Sequence, residues 1–174
     1  MCSSPHKHSD APAEWSDLRP LPIDYAARLL RDWGKGWAAD EAICYRICEL
    51  LGGLPLAVFL AGRYLAQHKL LAAEYLDWLE EAPLDALDMG DQRHQSIPLL
   101  MDRTTEKISE MGRVALGIVG ILSPEPFESK LIQIALGMKP KEANRHLGEL
   151  VNYGLLQRQT IDYQVTHSLI GLHP

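Results

Sequence analysis

The chain has few of the residues and runs that would assign a function directly. Its 174 residues include three cysteines. Cys44 and Cys48 lie one helical turn apart with no His or Cys pair to complete a metal site, so we expect buried thiols. No apolar run reaches membrane-spanning length and residues 1–10 are polar, so we expect no membrane contact, no signal peptide and a cytoplasmic setting. The net charge of −6 argues against a protein that coats nucleic acid.

Recognisable catalytic motifs are also missing. The sequence has no G-x-x-x-x-G-K-[ST] phosphate loop, and Gly34-Lys35-Gly36 has glycine where a hydroxyl would hold magnesium. The acids over residues 74–91 lack the order of a calcium loop, which needs a central glycine and a closing glutamate. No Ser/His/Asp or Cys/His set has motif context. We therefore predict no catalytic residue and no metal site, so that this chain by itself is not an enzyme.

Apolar residues recur at helical spacing over most of the chain. Residues 1–20 lack that periodicity and are predicted to form a flexible tail or linker. Residues 21–93 are predicted to form a bundle of four short helices, the second capped by Asp40 and the third beginning at Pro55. A stretch rich in proline, glycine and aspartate, residues 83–95, marks the predicted boundary with a second unit.

The second unit, residues 94–174, is predicted to be a winged helix-turn-helix domain. Its helices include Phe127 to Leu136 and Pro140 to Tyr153, and two β-segments follow at 155–160 and 163–166. The predicted fold is therefore mainly α, a four-helix bundle followed by a winged helix-turn-helix with a small β-hairpin. A continuous stack of helical repeats is the structural alternative, although no repeat of suitable length occurs.

Two short segments stand out from this background. Gly52-Gly53-Leu54-Pro55-Leu56-Ala57 is a turn followed by a helix that opens on proline. Such a helix start gathers free N–H donors and suits the edge of a phosphate or nucleotide site, although many such turns only join two helices. The second segment is Val165-Thr166-His167-Ser168, in which His167 directly follows the second β-segment. By residue pattern alone, His167 is predicted to be half-buried and bonded to a backbone carbonyl.

Together, the two segments and the order of the two units resemble the regulatory half of the NB-ARC family, also called STAND signal-transduction NTPases. The family includes apoptotic scaffolds, plant resistance proteins and bacterial regulators. Gly53 to Ala57 matches its GLPLA motif, and 165–168 corresponds to its Met-His-Asp motif with only the histidine retained. The resemblance implies that Pro55, with Gly53 and Leu54 beside it, lies near the adenine and ribose of ADP. It also implies that His167 touches the β-phosphate of ADP. Ser168 replaces the aspartate of the family motif, an acid that could orient the imidazole.

The resemblance further implies a function and a set of partners. The chain would be the nucleotide-state-sensing, autoinhibitory portion of a signal-transduction ATPase. Its partners would be an N-terminal P-loop NTPase domain, a C-terminal repeat or sensor domain, and further copies of the parent protein on activation. ADP or ATP would bind the full-length parent, and would bind this chain alone weakly or not at all.

A winged-helix transcription regulator that binds DNA directly is the alternative function. Its recognition helix would run from Lys139 to Tyr153, and the first turn of this helix would contact the DNA bases. Cationic and polar side chains crowd that half of the helix, namely Lys139, Lys141, Asn144, Arg145 and His146. However, Glu142 and Glu149 share the helix, and the hairpin contains Asp162 as well as Arg158. This charge pattern makes DNA an unlikely partner, because a phosphate-binding face needs a denser basic stripe.

Overall fold

A computed structural model of the protein describes residues 20–81, 96–122, 126–161 and 164–169. Over these residues the protein is mainly helical, with a small three-stranded antiparallel sheet. The predicted tail, apart from its last residue, and the predicted boundary at residue 93 lie outside the described residues. The helices are α1 (Ile23–Gly34), α2 (Glu41–Leu50), α3 (Pro55–His68), α4 (Ala72–Glu81), α5 (Ser96–Lys107), α6 (Glu110–Leu122), α7 (Ser129–Leu136) and α8 (Pro140–Asn152). The strands are β1 (Phe127–Glu128), β2 (Leu156–Ile161) and β3 (Gln164–Leu169).

The starts of α2 and α3 follow local sequence signals. The Asp40 carboxylate accepts a hydrogen bond of 3.1 Å from the Ile43 N–H, which satisfies one of the free amides at the start of α2. Pro55 is the first residue of α3, where its missing N–H removes no helical hydrogen bond. Both predicted helix starts are confirmed.

Helix α3 is the centre of the helical part of the fold. It packs against α1 on one side and against α5 on another, and Val58, Ala61 and Leu65 are fully buried. The predicted burial of the thiols is also confirmed, because Cys44 and Cys48 are buried and free. Burial raises the pKa of Cys44 to about 11 and that of Cys48 to about 12, so both thiols are neutral at physiological pH.

The sheet differs from the predicted hairpin in two ways. Residues Phe127 and Glu128 were predicted to begin a helix, but they form β1, which pairs with His167 and Thr166 on β3. Strand β3 also continues to Leu169, so His167 lies within the strand and not after it. The two errors have different causes. Strand β1 pairs with a segment distant in sequence, which local periodicity does not reveal, whereas β3 continues to Leu169 because Ser168 and Leu169 pair with Gln157 and Leu156 on β2.

Arginine 63 joins α3 to the end of α8. Its Nε and Nη2 atoms donate to the carbonyl oxygens of Asn152 (2.9 Å) and Val151 (2.8 Å). These carbonyls belong to the last turn of α8, which has no helical partner for them. Gly154 follows with φ 75°, and a Cβ atom there would lie 2.7 Å from Cε1 of Phe59. We call this set of contacts the α3–α8 clamp.

A second set of contacts joins α5 to α3 and α4. The guanidinium of Arg103 lies over the Trp78 ring, 3.6 Å from its centroid, and near the rings of Tyr64 (4.9 Å) and Tyr75 (5.4 Å). A desolvated cation on aromatic faces contributes about 2 kcal/mol. These contacts attach α5, which follows the acidic 82–95 stretch, to the first four helices.

We expect Gly154→Ala to destabilise the protein more than Gly137→Ala. Both glycines have positive φ, 75° and 61°, but a Cβ at Gly137 would meet no atom within 4 Å. Gly137→Ala should therefore cost only the backbone strain, about 1 kcal/mol. Gly154→Ala adds overpacking against Phe59, so its cost should be about 2–4 kcal/mol. Urea unfolding of the two variants measures both values, and equal losses would show that the clamp is not tightly packed.

Candidate functional site

His167 occupies the middle of a row of three side chains across the sheet. In the strand register it lies directly opposite Phe127 on β1 and Arg158 on β2. Directly opposed residues project to the same face of an antiparallel sheet. The ring centroids of His167 and Phe127 are 5.8 Å apart. We call Phe127, His167 and Arg158 the cross-strand row.

The imidazole of His167 is buried and incompletely bonded. The residue is 6% exposed, and its Nδ1 atom has no hydrogen-bond partner among the described residues. The predicted half-buried histidine is therefore more deeply buried than expected, and Nδ1 does not bond a described carbonyl. Burial, together with the nearby Arg158, holds the pKa of His167 below its ordinary value of 6.5. The ring is thus neutral at pH 7, with a nitrogen whose missing partner costs free energy.

Ser168 does not neighbour that imidazole. Successive side chains of a strand point to opposite faces, so Ser168 and Thr166 lie on the face opposite to His167. Ser168 is 2% exposed, and its hydroxyl has no partner among the described residues. A serine in place of an acid at this position therefore removes no group from the surroundings of the imidazole.

A cavity of about 340 Å³ lies next to His167. We call it the polar cavity, and it is lined by Ser129, Asn144, Gly148, Val151, Asn152, Arg158, Val165 and His167. Ser129 is the first residue of α7, and the preceding residue, Glu128, makes no side-chain capping bond. The first N–H groups of α7 are thus available to a ligand, and the positive end of the helix dipole favours an anion there.

A second cavity, of about 500 Å³, adjoins the first. We call it the apolar cavity, and it is lined by Trp33, Leu56, Phe59, Arg63, Val151, Leu156, Gln157 and Arg158. The Trp33 and Phe59 rings pack edge to face with centroids 4.7 Å apart. Val151 and Arg158 line both cavities. The two cavities are therefore neighbours, one aromatic and aliphatic, the other rich in hydrogen-bonding groups.

The predicted GLPLA residues lie at different places relative to these cavities. Gly53 has φ 66°, and a Cβ atom there would lie 2.5 Å from the Leu21 carbonyl oxygen. Leu54 is buried in the core, whereas Pro55 is exposed at the start of α3. None of the three lines either cavity, but Leu56, the next residue, lines the apolar cavity. The structure thus brings this segment and His167 to neighbouring cavities.

Several lining residues were not singled out from the sequence. Arg158 was considered only as a charge on the hairpin, and Asn152 and Ser129 were not considered at all. No local motif marks them, because the strand register and the packing of α7 against α8 bring them together. The predicted hairpin, with its turn at 161–162, would place Arg158 opposite Val165, whereas the observed register pairs Ile161 with Gln164 and therefore Arg158 with His167.

A second polar cluster contains the residue types of a catalytic triad, but its hydrogen bonds cap a helix. Ser109 Oγ donates to Glu149 Oε2 (2.6 Å) and accepts from the Gly112 N–H (3.0 Å), while Ser109 N donates to Glu149 Oε1 (2.7 Å). His146 Nδ1 lies 3.3 Å from the same hydroxyl. Burial raises the pKa of Glu149, but the hydrogen bonds from Ser109 and His146 outweigh it and leave the pKa below its ordinary value. Because the serine proton is bonded to a carboxylate and the hydroxyl caps α6, this cluster fastens α6 to α8.

Over residues 20–81, 96–122, 126–161 and 164–169, no group of three or more His, Cys, Asp or Glu side chains is arranged to hold a metal ion. Nor does any described helix combine the length and apolarity needed to cross a membrane.

We expect the protein to lose stability as the pH falls from about 7.5 to 5.5. The pKa of His167 and that of His68 both lie below their ordinary value, His68 because of burial first and then Lys107 and Arg103. The unfolded chain then binds more protons than the folded one below about pH 6.5, so stability declines through that window. Urea midpoints measured at several pH values should show a smaller decline in His167→Gln and in His68→Gln. A variant with the same pH slope as the wild type would show that its histidine does not contribute.

No protein-family model matches this chain, and no curated protein matches it either. The two motifs and the geometry of the two cavities therefore carry the functional argument.

Proposed function

We propose that this chain is the nucleotide-state-sensing, autoinhibitory part of an NB-ARC-type signal-transduction ATPase. One observation carries the proposal: His167 is buried with an unpartnered nitrogen, at a cavity that adjoins the one reached by the GLPLA segment through Leu56. Two segments about a hundred residues apart thereby reach neighbouring spaces, one suited to an aromatic group and the other to an anion.

The order of elements after α5 supports a winged helix for the second unit. Helix α6 is followed by the short strand β1, the two helices α7 and α8, and the β2–β3 hairpin, with β1 on the outer edge of β3. We assign this arrangement to a winged helix whose wing is the hairpin. His167 then lies on β3, the central strand of the sheet. A movement of the whole domain would bring His167 into contact with a bound nucleotide or move it away.

The proposed chemistry is the recognition of a terminal phosphate by a neutral imidazole. One ring nitrogen of His167 would donate a hydrogen bond to the β-phosphate of ADP, which is charge-assisted because the phosphate is ionised. The wing would thus be held on ADP, and a γ-phosphate would change the geometry that the imidazole must satisfy. Autoinhibition follows if the ADP-bound arrangement covers the surfaces used for activation.

The partners follow from what the chain would need for this role. A P-loop NTPase domain would supply the phosphate loop and magnesium ligands, because this sequence has no such loop. A C-terminal repeat or sensor domain would receive the signal, and the activated parent would assemble with further copies of itself. By this proposal the chain alone does not hydrolyse ATP.

In the protein joined to its P-loop domain, we expect His167→Ala to speed ADP release. Losing one charge-assisted phosphate contact costs about 1.5–3 kcal/mol, or roughly ten- to a hundredfold in ADP affinity. Pro55→Ala should have a smaller effect, because Pro55 preorganises a helix start and makes no charged contact. Stopped-flow release of a fluorescent ADP analogue measures these rates. Ser168→Ala is the matched control, since residue 168 faces the other side of the sheet.

If His167→Ala unfolds the chain but leaves ADP affinity unchanged, His167 is a core residue and the proposal is wrong.

Direct binding to DNA is the competing function, and we expect it to be absent. Lys139, just before α8, and Lys141 and Arg145 on α8 are exposed, but so is Glu142, and the chain carries a net charge of −6. An anisotropy titration with duplex DNA should therefore show no binding at about 150 mM salt. Tight, salt-sensitive binding that disappears when the three cations are changed to Glu would favour the transcription regulator instead.

A further inference from the structure

We infer that the outer face of α1 binds an acidic peptide segment of a partner protein. The contact surface is a groove made up of two adjoining depressions of about 400 Å³ each, which we call the α1 groove. The first depression is lined by Arg28, Arg31, Asp32, Lys35, Ala38 and Ala39. The second shares Arg28 and Arg31 with the first and adds Tyr25. The inference goes beyond the proposed function and does not rest on it, because it involves neither a nucleotide nor the sheet.

Three cationic side chains meet in the first depression. Helix α1 buries its small and apolar residues, whereas Arg28, Arg31 and Lys35 are exposed. Arg31 is paired with Glu41, with its Nη1 atom 3.3 Å from Oε2. Among the described residues, no carboxylate lies within 4 Å of the charged groups of Arg28 and Lys35. These two cations are therefore placed to receive the carboxylates of a ligand.

Lys35 has an unusual backbone conformation. Its φ of 54° and ψ of −138° lie in a region that favours glycine, and glycines 34 and 36 stand on either side of it. Holding a residue with a side chain in this region costs free energy, and such strain is concentrated at functional sites. The strained position carries a lysine that lines the groove, which supports a use for its charge.

The length of the groove favours a peptide over one small anion. The seven residues of helix from Arg28 to Lys35 rise by about 10 Å, at about 1.5 Å per residue. A single phosphate is too small to bridge both cations over that distance. In an extended segment, acidic residues two to four positions apart are separated by about 7–13 Å. One short acidic segment can therefore contact both ends of the first depression.

Tyr25 indicates which residue accompanies the acids. Its side chain is 62% exposed and lies in the second depression, at the other end of the groove from Lys35. Exposed tyrosine and arginine side chains are enriched among the residues that dominate protein interfaces. Asp24 and Glu41 also line this depression, so it disfavours further acids and a nucleic acid strand. We expect a segment with acids at Arg28 and Lys35 and a large apolar residue near Tyr25.

Fluorescence anisotropy with a labelled peptide of six glutamates and one tryptophan tests the inference on the full chain. The peptide should bind at low salt and more weakly at about 150 mM salt, because the charges are exposed. A peptide of six glutamines and one tryptophan should not bind. Arg28→Gln and Lys35→Gln should each weaken binding about two- to fivefold, and the double variant about tenfold. Arg113→Gln is the matched control and should have no effect, since it removes an exposed arginine of α6, outside the groove.

Lys35→Gly separates a loss of charge from a loss of structure. Glycine relieves the backbone strain, so the melting temperature should rise by about 2 °C. The affinity for the glutamate peptide should nevertheless fall as far as it does in Lys35→Gln. A variant that is more stable than the wild type cannot have lost binding through unfolding.

Three results would overturn the inference. The first is no binding of the glutamate peptide to the wild-type chain at low salt. The second is an equal loss of affinity in Arg28→Gln and Arg113→Gln, which would indicate unspecific attraction. The third is displacement of the peptide by inorganic phosphate at a similar molar concentration, which would make the groove a site for a small anion.

Discussion

The α3–α8 clamp is the contact on which the rest of the site depends. Arg63 binds the carbonyl of Val151, and the side chain of Val151 lines both cavities. Hydrogen bonds from a charged donor to carbonyls that have no helical partner contribute about 1.5–3 kcal/mol each, so the end of α8 is held firmly against α3. Gly154 then lets β2 begin close to Phe59. Together with the ring contact between His68 and Tyr153, whose centroids are 5.4 Å apart, this contact holds the GLPLA helix near the start of β2, where the two cavities adjoin.

The short strand β1 has a similar importance for His167. Two residues, Phe127 and Glu128, pair with β3 and place an aromatic ring beside the imidazole. Burial, and after it the nearby Arg158, holds the pKa of His167 below its ordinary value, so the imidazole is neutral near pH 7. The site therefore combines a permanent cation with a neutral hydrogen-bonding group. Such a pair can hold an ionised phosphate near neutral pH without depending on the protonation of the histidine.

Not every polar cluster in this protein suggests chemistry. Ser109, His146 and Glu149 lie within hydrogen-bonding distance of one another, yet the bonds run in the direction of a helix cap. Arg103 is surrounded by aromatic rings, and its contacts attach α5 to α3 and α4. The Ser109 cluster satisfies its groups internally, whereas Nε of Arg103 and Nδ1 of His167 are both unpartnered among the described residues. Of the two, only His167 lines one of the two cavities. That contrast distinguishes the candidate site from the structural clusters.

The sequence by itself determined the features that depend on neighbours along the chain. Helical periodicity, the Asp40 cap and the Pro55 start were predictable because each involves residues within four positions. The hairpin was also predictable, but its register was not: a turn at 161–162 would place Arg158 opposite Val165, whereas the structure places it opposite His167. Only the tertiary structure decided the rest. Strand β1, the burial of His167, and the meeting of α3 with the end of α8 all join segments 30 to 90 residues apart. Such contacts depend on packing of the whole fold, and no local pattern encodes them.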